Sequence, residues 1–190
     1  MKFLTPLLAV IFILSLSVTG YSQSEMDMKA WTEYMTPGSV HEMIAKSDGE
    51  WNEDITFWMD PTAPPMKTTG VVVNKMILGG RYQQSNYSGD MMGMPFEGMS
   101  LLGYDNGRKI IQSIWVDNFG TGTWYSEGEW DEATKTTVLK GKIYEPLSGK
   151  MEDIKQVFKI IDDDHQSLEM YKVEDGKELK SMEIMFTRKK

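Results

Sequence analysis

The chain has 190 residues, 41% of them hydrophobic, with two histidines, no cysteine and a formal charge of −8 from 28 acidic and 20 basic side chains. That length predicts one domain, and the lack of thiols excludes disulfides, zinc–thiolate centres, a cysteine nucleophile and a lipidated cysteine. An acidic chain whose longest basic run is Arg188-Lys189-Lys190 repels phosphate backbones, which argues against nucleic acid as a partner.

Lys2, the apolar run Leu7 to Leu14 and the small residues around Val18-Thr19-Gly20 have the order of a secretory leader: a positive start, a hydrophobic stretch too short to span a bilayer, and a small-residue exit. Cleavage is expected after Gly20 or after Gln23, so residues 1–23 are read as leader and the start of a linker. The mature chain is expected to be exported, periplasmic or extracellular in a bacterium. No later run reaches the ~18 to 20 apolar residues of a membrane helix, so no membrane insertion of the mature chain is expected.

Residues 24–48 read as a helical cap. After a polar linker from Ser22 to Asp27, Met28, Trp31, Tyr34 and Met35 recur at helical spacing until Thr36-Pro37-Gly38. A second short helix is predicted from Ser39 to Lys46, with a Ser39–Glu42 capping box and with Val40, Met43 and Ile44 turned inward.

From Gly49 to residue 190 the period falls to two, and turn signals arrive every ten to fifteen residues. They stand at Asp60-Pro61 with Pro64-Pro65, Gly79-Gly80, Gly89 to Gly93, Asp105-Asn106-Gly107, Asp117 to Gly120, Asp131 to Thr134, Pro146 to Gly149, Asp162 to Asp164 and Glu174-Asp175-Gly176. These nine breaks predict about ten strands. Trp51, Ile55, Phe57 and Met59 share one face, as do Phe96, Leu102 and Tyr104; Ile154, Phe158 and Ile160; and Met182, Ile184 and Phe186. Asn52, Asp54, Glu152, Gln156, Lys159 and Glu183 are assigned to the other face. Sequential strands joined by tight turns favour an antiparallel up-and-down meander, and closing it into a β-barrel removes its exposed edges. The expected fold is mainly β: a barrel of about ten strands with the short N-terminal helical segment capping one end.

Several short motifs occur in order: His41 ahead of Gly49-Glu50-Trp51, Gly80-Arg81-Tyr82, Gly89, Pro95-Phe96-Glu97-Gly98, Gly103-Tyr104-Asp105-Asn106, Trp115 with Asp117, Gly120-Thr121, and Gly128. Together they resemble domain-of-unknown-function family 1579 (DUF1579), a group of exported and cytoplasmic bacterial proteins. The resemblance implies a barrel like those of lipocalins and fatty-acid-binding proteins, and carries no established activity or catalytic residue. The chain departs from the family pattern in its methionine density between Met91 and Met99.

A ten-stranded barrel is wider than an eight-stranded one, so its interior can hold a guest. Trp51, Phe57, Tyr82, Phe96, Tyr104, Trp115 and Trp124 are the candidate aromatic lining, although the same pattern also builds a filled core. Arg81, Glu97 and Asp117 are the polar candidates. Arg81 can clasp a ligand carboxylate or be neutralised by Glu97, and the structural pair is the favoured reading. The expected function is binding of a small hydrophobic or amphipathic molecule, with no cofactor and no catalytic residue assigned.

Two alternatives stand beside it. Met91, Met92, Met94 and Met99 offer soft sulfur donors for Cu(I), with His41 or His165 as a possible nitrogen ligand; yet methionine occurs sixteen times in the chain and fills irregular apolar space. An enzyme acting in the cavity would need His41 or a carboxylate as base. No Gly-x-Ser-x-Gly elbow is present, and two histidines cannot make a three-histidine zinc site. His41 is read as sealing the barrel end.

Overall fold

The computed structural model describes residues 19–59 and 63–190. In chain order the elements are α1 (Thr19–Met35), α2 (Ser39–Ala45), β1 (Gly49–Phe57), β2 (Met66–Ile77), β3 (Tyr82–Met91), β4 (Met94–Asp105), β5 (Ile110–Asp117), β6 (Trp124–Asp131), β7 (Thr136–Glu145), β8 (Lys150–Ile160), β9 (His165–Glu174) and β10 (Lys177–Arg188). The apolar part of the expected leader and the Asp60-Pro61 break lie outside the described residues. The chain divides into a unit ending at Thr36 and a second unit, Pro37–Lys190.

In the first unit α1 begins earlier than predicted, so the expected polar linker Ser22 to Asp27 is helical and both expected cleavage points fall within the helix. Its apolar side chains are exposed, Trp31 at 59%. Within the second unit, α2 caps one end of the barrel.

The ten strands form a closed barrel in which each pairs antiparallel with its sequence neighbours and β1 closes on β10. Seven pairs, from Trp51↔Arg188 to Phe57↔Met182, make that seam. The register slips once, between Lys180 and Met182 on β10. Because the turn signals fall at the strand ends, consecutive strands follow one another as a meander, and full closure leaves no strand edge of the barrel unpaired.

The cap closes on itself at its N-terminal end and is stitched to the wall at its C-terminal end. Gly38, which has no side chain to offer, is the N-cap in place of the expected Ser39 box, and its backbone N–H donates to His41 Nδ1 at 3.1 Å. At the other end, the last carbonyls of a helix need donors from outside it, and the barrel supplies them. Gln83 Nε2 donates to the Ile44 carbonyl, Trp51 Nε1 and Asn74 Nδ2 to that of Ser47, and Arg188 to those of Lys46 and Asp48. The Arg188 guanidinium also lies 4.2 Å from the centre of the Trp51 ring. Packing beneath the cap, Ile44, Ile111 and Leu139 form one apolar cluster, and Trp51, Val72, Ile184 and Phe186 form another against the seam. The space between them is open.

Candidate functional site

A cavity of about 340 Å³ occupies the barrel interior. Its lining runs from Ile44 and Ser47 at the cap to exposed Gly89, Asp90 and Phe119 at the opposite rim, where it opens. The volume lies within the roughly 300–1,000 Å³ of small-molecule sites.

Aromatic rings gather on the β3–β6 side of the mouth. Trp115 makes an edge contact with Tyr87 at 4.8 Å between centroids, lies parallel to Phe96 at 6.3 Å, and meets Trp124 at 6.3 Å. Phe119 adds an edge to Phe96. Gly98 permits this arrangement, since a Cβ there would stand 2.7 Å from the Trp115 ring. Trp115 Nε1 donates to Asp117 at 2.6 Å, which turns the indole and fixes the carboxylate at the rim. Deeper in the barrel a band of hydroxyls enters a largely apolar wall: Ser85, Ser100, Ser113 and Ser126 line neighbouring strands, and Ser126 Oγ donates to Gln156 Oε1 at 3.2 Å.

The most unusual lining residue is Glu53. It points inward from β1 between Trp51 and Ile55, is only 3% exposed, and its Oε1 has no hydrogen-bond partner among the described residues. Loss of water pushes its carboxyl up to about 7. Its neighbour across the strands is Gly70, where a Cβ would stand 2.6 Å from Glu53 Oε2. Tyr87 shares the wall, and its hydroxyl is pushed up to about 12, chiefly by burial and then by the nearby Glu53 charge.

Of the residues singled out from sequence, Phe57, Phe96, Trp115, Trp124 and Asp117 line the cavity. Trp51 is wholly buried in the seam cluster and holds the cap. Tyr104 faces inward but beneath the cap, where its ring meets His41 edge-on at 5.7 Å. Tyr82 lies on the outer surface over Gly103. The Arg81–Glu97 pair does not form. Arg81 is in the turn after β2, exposed, with Nη1 on the Leu78 carbonyl, while Glu97 is exposed near the rim end of β4. The pairs Tyr82↔Gly103 and Ser88↔Glu97 put the two about six residues apart along the strands, roughly 20 Å.

Gln156 was assigned outside and is inside, because it shares the parity of Ile154 and Phe158; Glu152 has that parity too. Of the four methionines, Met91 lines the cavity and pairs across the turn with exposed Met94, Met92 is exposed in that turn, and Met99 lies farther along β4 with its sulfur accepting from Gln84 Nε2. His41 is buried in the cap; burial lowers its basicity first, with the Tyr104 backbone hydrogen bond opposing. His165 is the exposed first residue of β9, with Nδ1 against Asp162.

A family model described as a protein of unknown function (DUF1579) matches residues 36–188. No curated protein matches the chain. Among solved structures, that of Rv2717c from M. tuberculosis is similar with a TM-score of 0.60 and 14% identity, over 82% of this chain and 100% of the other. At that identity the likeness speaks for the fold alone.

Proposed function

The chain belongs to the DUF1579 family, and from that premise we propose that it binds a small amphipathic molecule inside the barrel. The observation that carries this is the space of about 340 Å³ inside the barrel, aromatic at its rim and mostly apolar in depth, with a band of serines and Glu53. An apolar body against Phe96, Trp115 and Trp124 would gain about 25 cal/mol per Å² removed from water, before the cost of ordering the guest. The polar end would reach the serine wall and Glu53.

The run from Lys2 to Gly20 has the makeup of a leader, and on that ground we propose that the protein works outside the cytoplasm. A second reading, an enzyme in this cavity, is favoured by one observation only. Glu53 holds its proton near neutral pH, as a general acid or base does. His41 lines no part of the cavity, so it does not serve that reading.

The binding proposal is tested by filling the space. Ser113→Phe puts a ring into the cavity from β5. The neutral dye N-phenyl-1-naphthylamine is expected to brighten on titration into the wild type and to lose at least about tenfold in affinity for the variant, with far-ultraviolet circular dichroism unchanged. A folded variant that binds the dye as well as the wild type removes the cavity as the site.

A further inference from the structure

We propose that the guest is an organic monocation, a protonated amine on an apolar or aromatic body, whose charge sits against the Glu53 carboxylate while its body meets the rings of Tyr87, Trp115 and Trp124. The inference rests on the preceding reading of the cavity as a small-molecule site and names the class of molecule it takes.

Three features of the wall point the same way. First, the charged side chains of the lining are all acidic, Glu53 within and Asp90 and Asp117 at the rim, and no Lys, Arg or His lines it among the described residues. A carboxylate guest, the alternative weighed for Arg81, would find no basic side chain in the lining among the described residues, with Arg81 in the turn after β2.

Second, Glu53 is buried with Oε1 unpartnered. Burying a carboxyl oxygen without a hydrogen-bond partner is costly unless something else meets it, and the fold makes room for this side chain by placing Gly70 opposite. Other buried polar groups of the wall are tied to the cap: Gln83 holds Ile44 and Asp48, Gln166 Nε2 donates to Ser47 Oγ at 2.8 Å, and Asn74, whose Oδ1 is also unpartnered, holds Ser47 through Nδ2. Glu53 stands outside this cap network.

Third, Tyr87, Trp115 and Trp124 line the cavity, and aromatic rings attract a cation in transit or a cationic head at rest. Removing water from such a cavity strengthens both attractions.

The groups around Glu53 decide how binding should follow pH. Gly70 on β2 and Phe186 on β10 pair beside it and carry no charge. Tyr87 on β3 is the titratable group sharing its wall, and Asp90 and Asp117 stand at the rim. On the cap side, Asp48 is tied to Gln83 and to the Met76 amide, and His41 to Gly38. Ionisation of Glu53 therefore creates the countercharge, while an alkylamine keeps its proton to about pH 10.

The test uses three probes with one body and different heads, 4-phenylbutylamine, 4-phenylbutanol and 4-phenylbutyrate, titrated into the full chain and followed by tryptophan fluorescence excited where the phenyl group is transparent. At about pH 8 the amine is expected to bind at least about tenfold tighter than the alcohol, with the butyrate weakest. Between about pH 5.5 and about pH 8 amine affinity should rise by about tenfold while alcohol affinity stays level. In Glu53→Gln the advantage of the amine should vanish and the alcohol should bind as before. Equal binding of amine and alcohol at about pH 8, or an amine preference that survives Glu53→Gln, overturns the cation assignment and leaves the cavity reading standing; failure of all three probes to bind overturns both. If Glu53→Gln does not fold, the wild-type pH series decides, and a level amine affinity overturns the proposal.

Discussion

Between Trp51 and Ile55 the period of the strand obliges residue 53 to point inward, and the chain has glutamate there. A carboxyl lifted to about 7 from an ordinary value near 4.5 keeps its proton in the folded state after the unfolded chain has lost it. The folded state thus binds more protons through that window, so stability from this group is greatest below about pH 4.5, falls as pH rises and levels off above about pH 7. The loss is on the order of 3 kcal/mol. Carboxylates held low by hydrogen bonds, such as Asp162 and Glu169, act with the opposite sign and at lower pH. Urea unfolding at about pH 5 and about pH 8 should therefore show Glu53→Gln flatter than the wild type and more stable than it at the higher pH; a wild-type slope retained by the variant would contradict the assignment.

The sequence contained the signal for Glu53, since 51, 53, 55 and 57 alternate together, but an acid at an inward position is set aside by any reading that sorts residues by polarity before parity. Gln156 was misplaced for the same reason. Arg81 was legible as a residue beside a turn, but not that the turn itself would contain it, four positions after Ile77.

Elements were more legible than side chains, because glycine, proline, aspartate and asparagine mark turns through backbone geometry that tertiary packing seldom overrides. All nine breaks fall at or beside strand ends in the described residues, the first being described only in part. The start of α1 was missed, for Ser22 to Asp27 lack the apolar spacing used to find helices. What no pattern announces is how closely two strands approach. At Gly128 on β6, a Cβ would fall 1.8 Å from the Val138 carbonyl oxygen on β7, a backbone contact that cannot yield by rotating a side chain. Gly128→Ala is expected to destabilise the barrel by about 3 kcal/mol or more, or to prevent folding; thermal melting within a few degrees of the wild type would show that the two strands can part without loss.

At the scale of the whole molecule, closure is the property on which the site depends. The seam joins the first and last strands of the barrel, so the wall becomes continuous only when residues more than a hundred positions apart pair. Folding should accordingly be slow for the chain's size. A chain ending at Asp175 lacks β10 and leaves β1 and β9 with open edges. It is expected to aggregate or remain unfolded by circular dichroism, and a soluble, cooperatively melting nine-stranded product would count against the role given to the seam.

One further consequence follows from the tilt of 41° between the Trp115 and Trp124 rings at 6.3 Å. Two indoles so placed couple their electronic transitions and give paired dichroic bands of opposite sign. The barrel mouth thus carries an optical reporter of its own occupancy, one that needs no label and that changes whenever a guest shifts either chromophore.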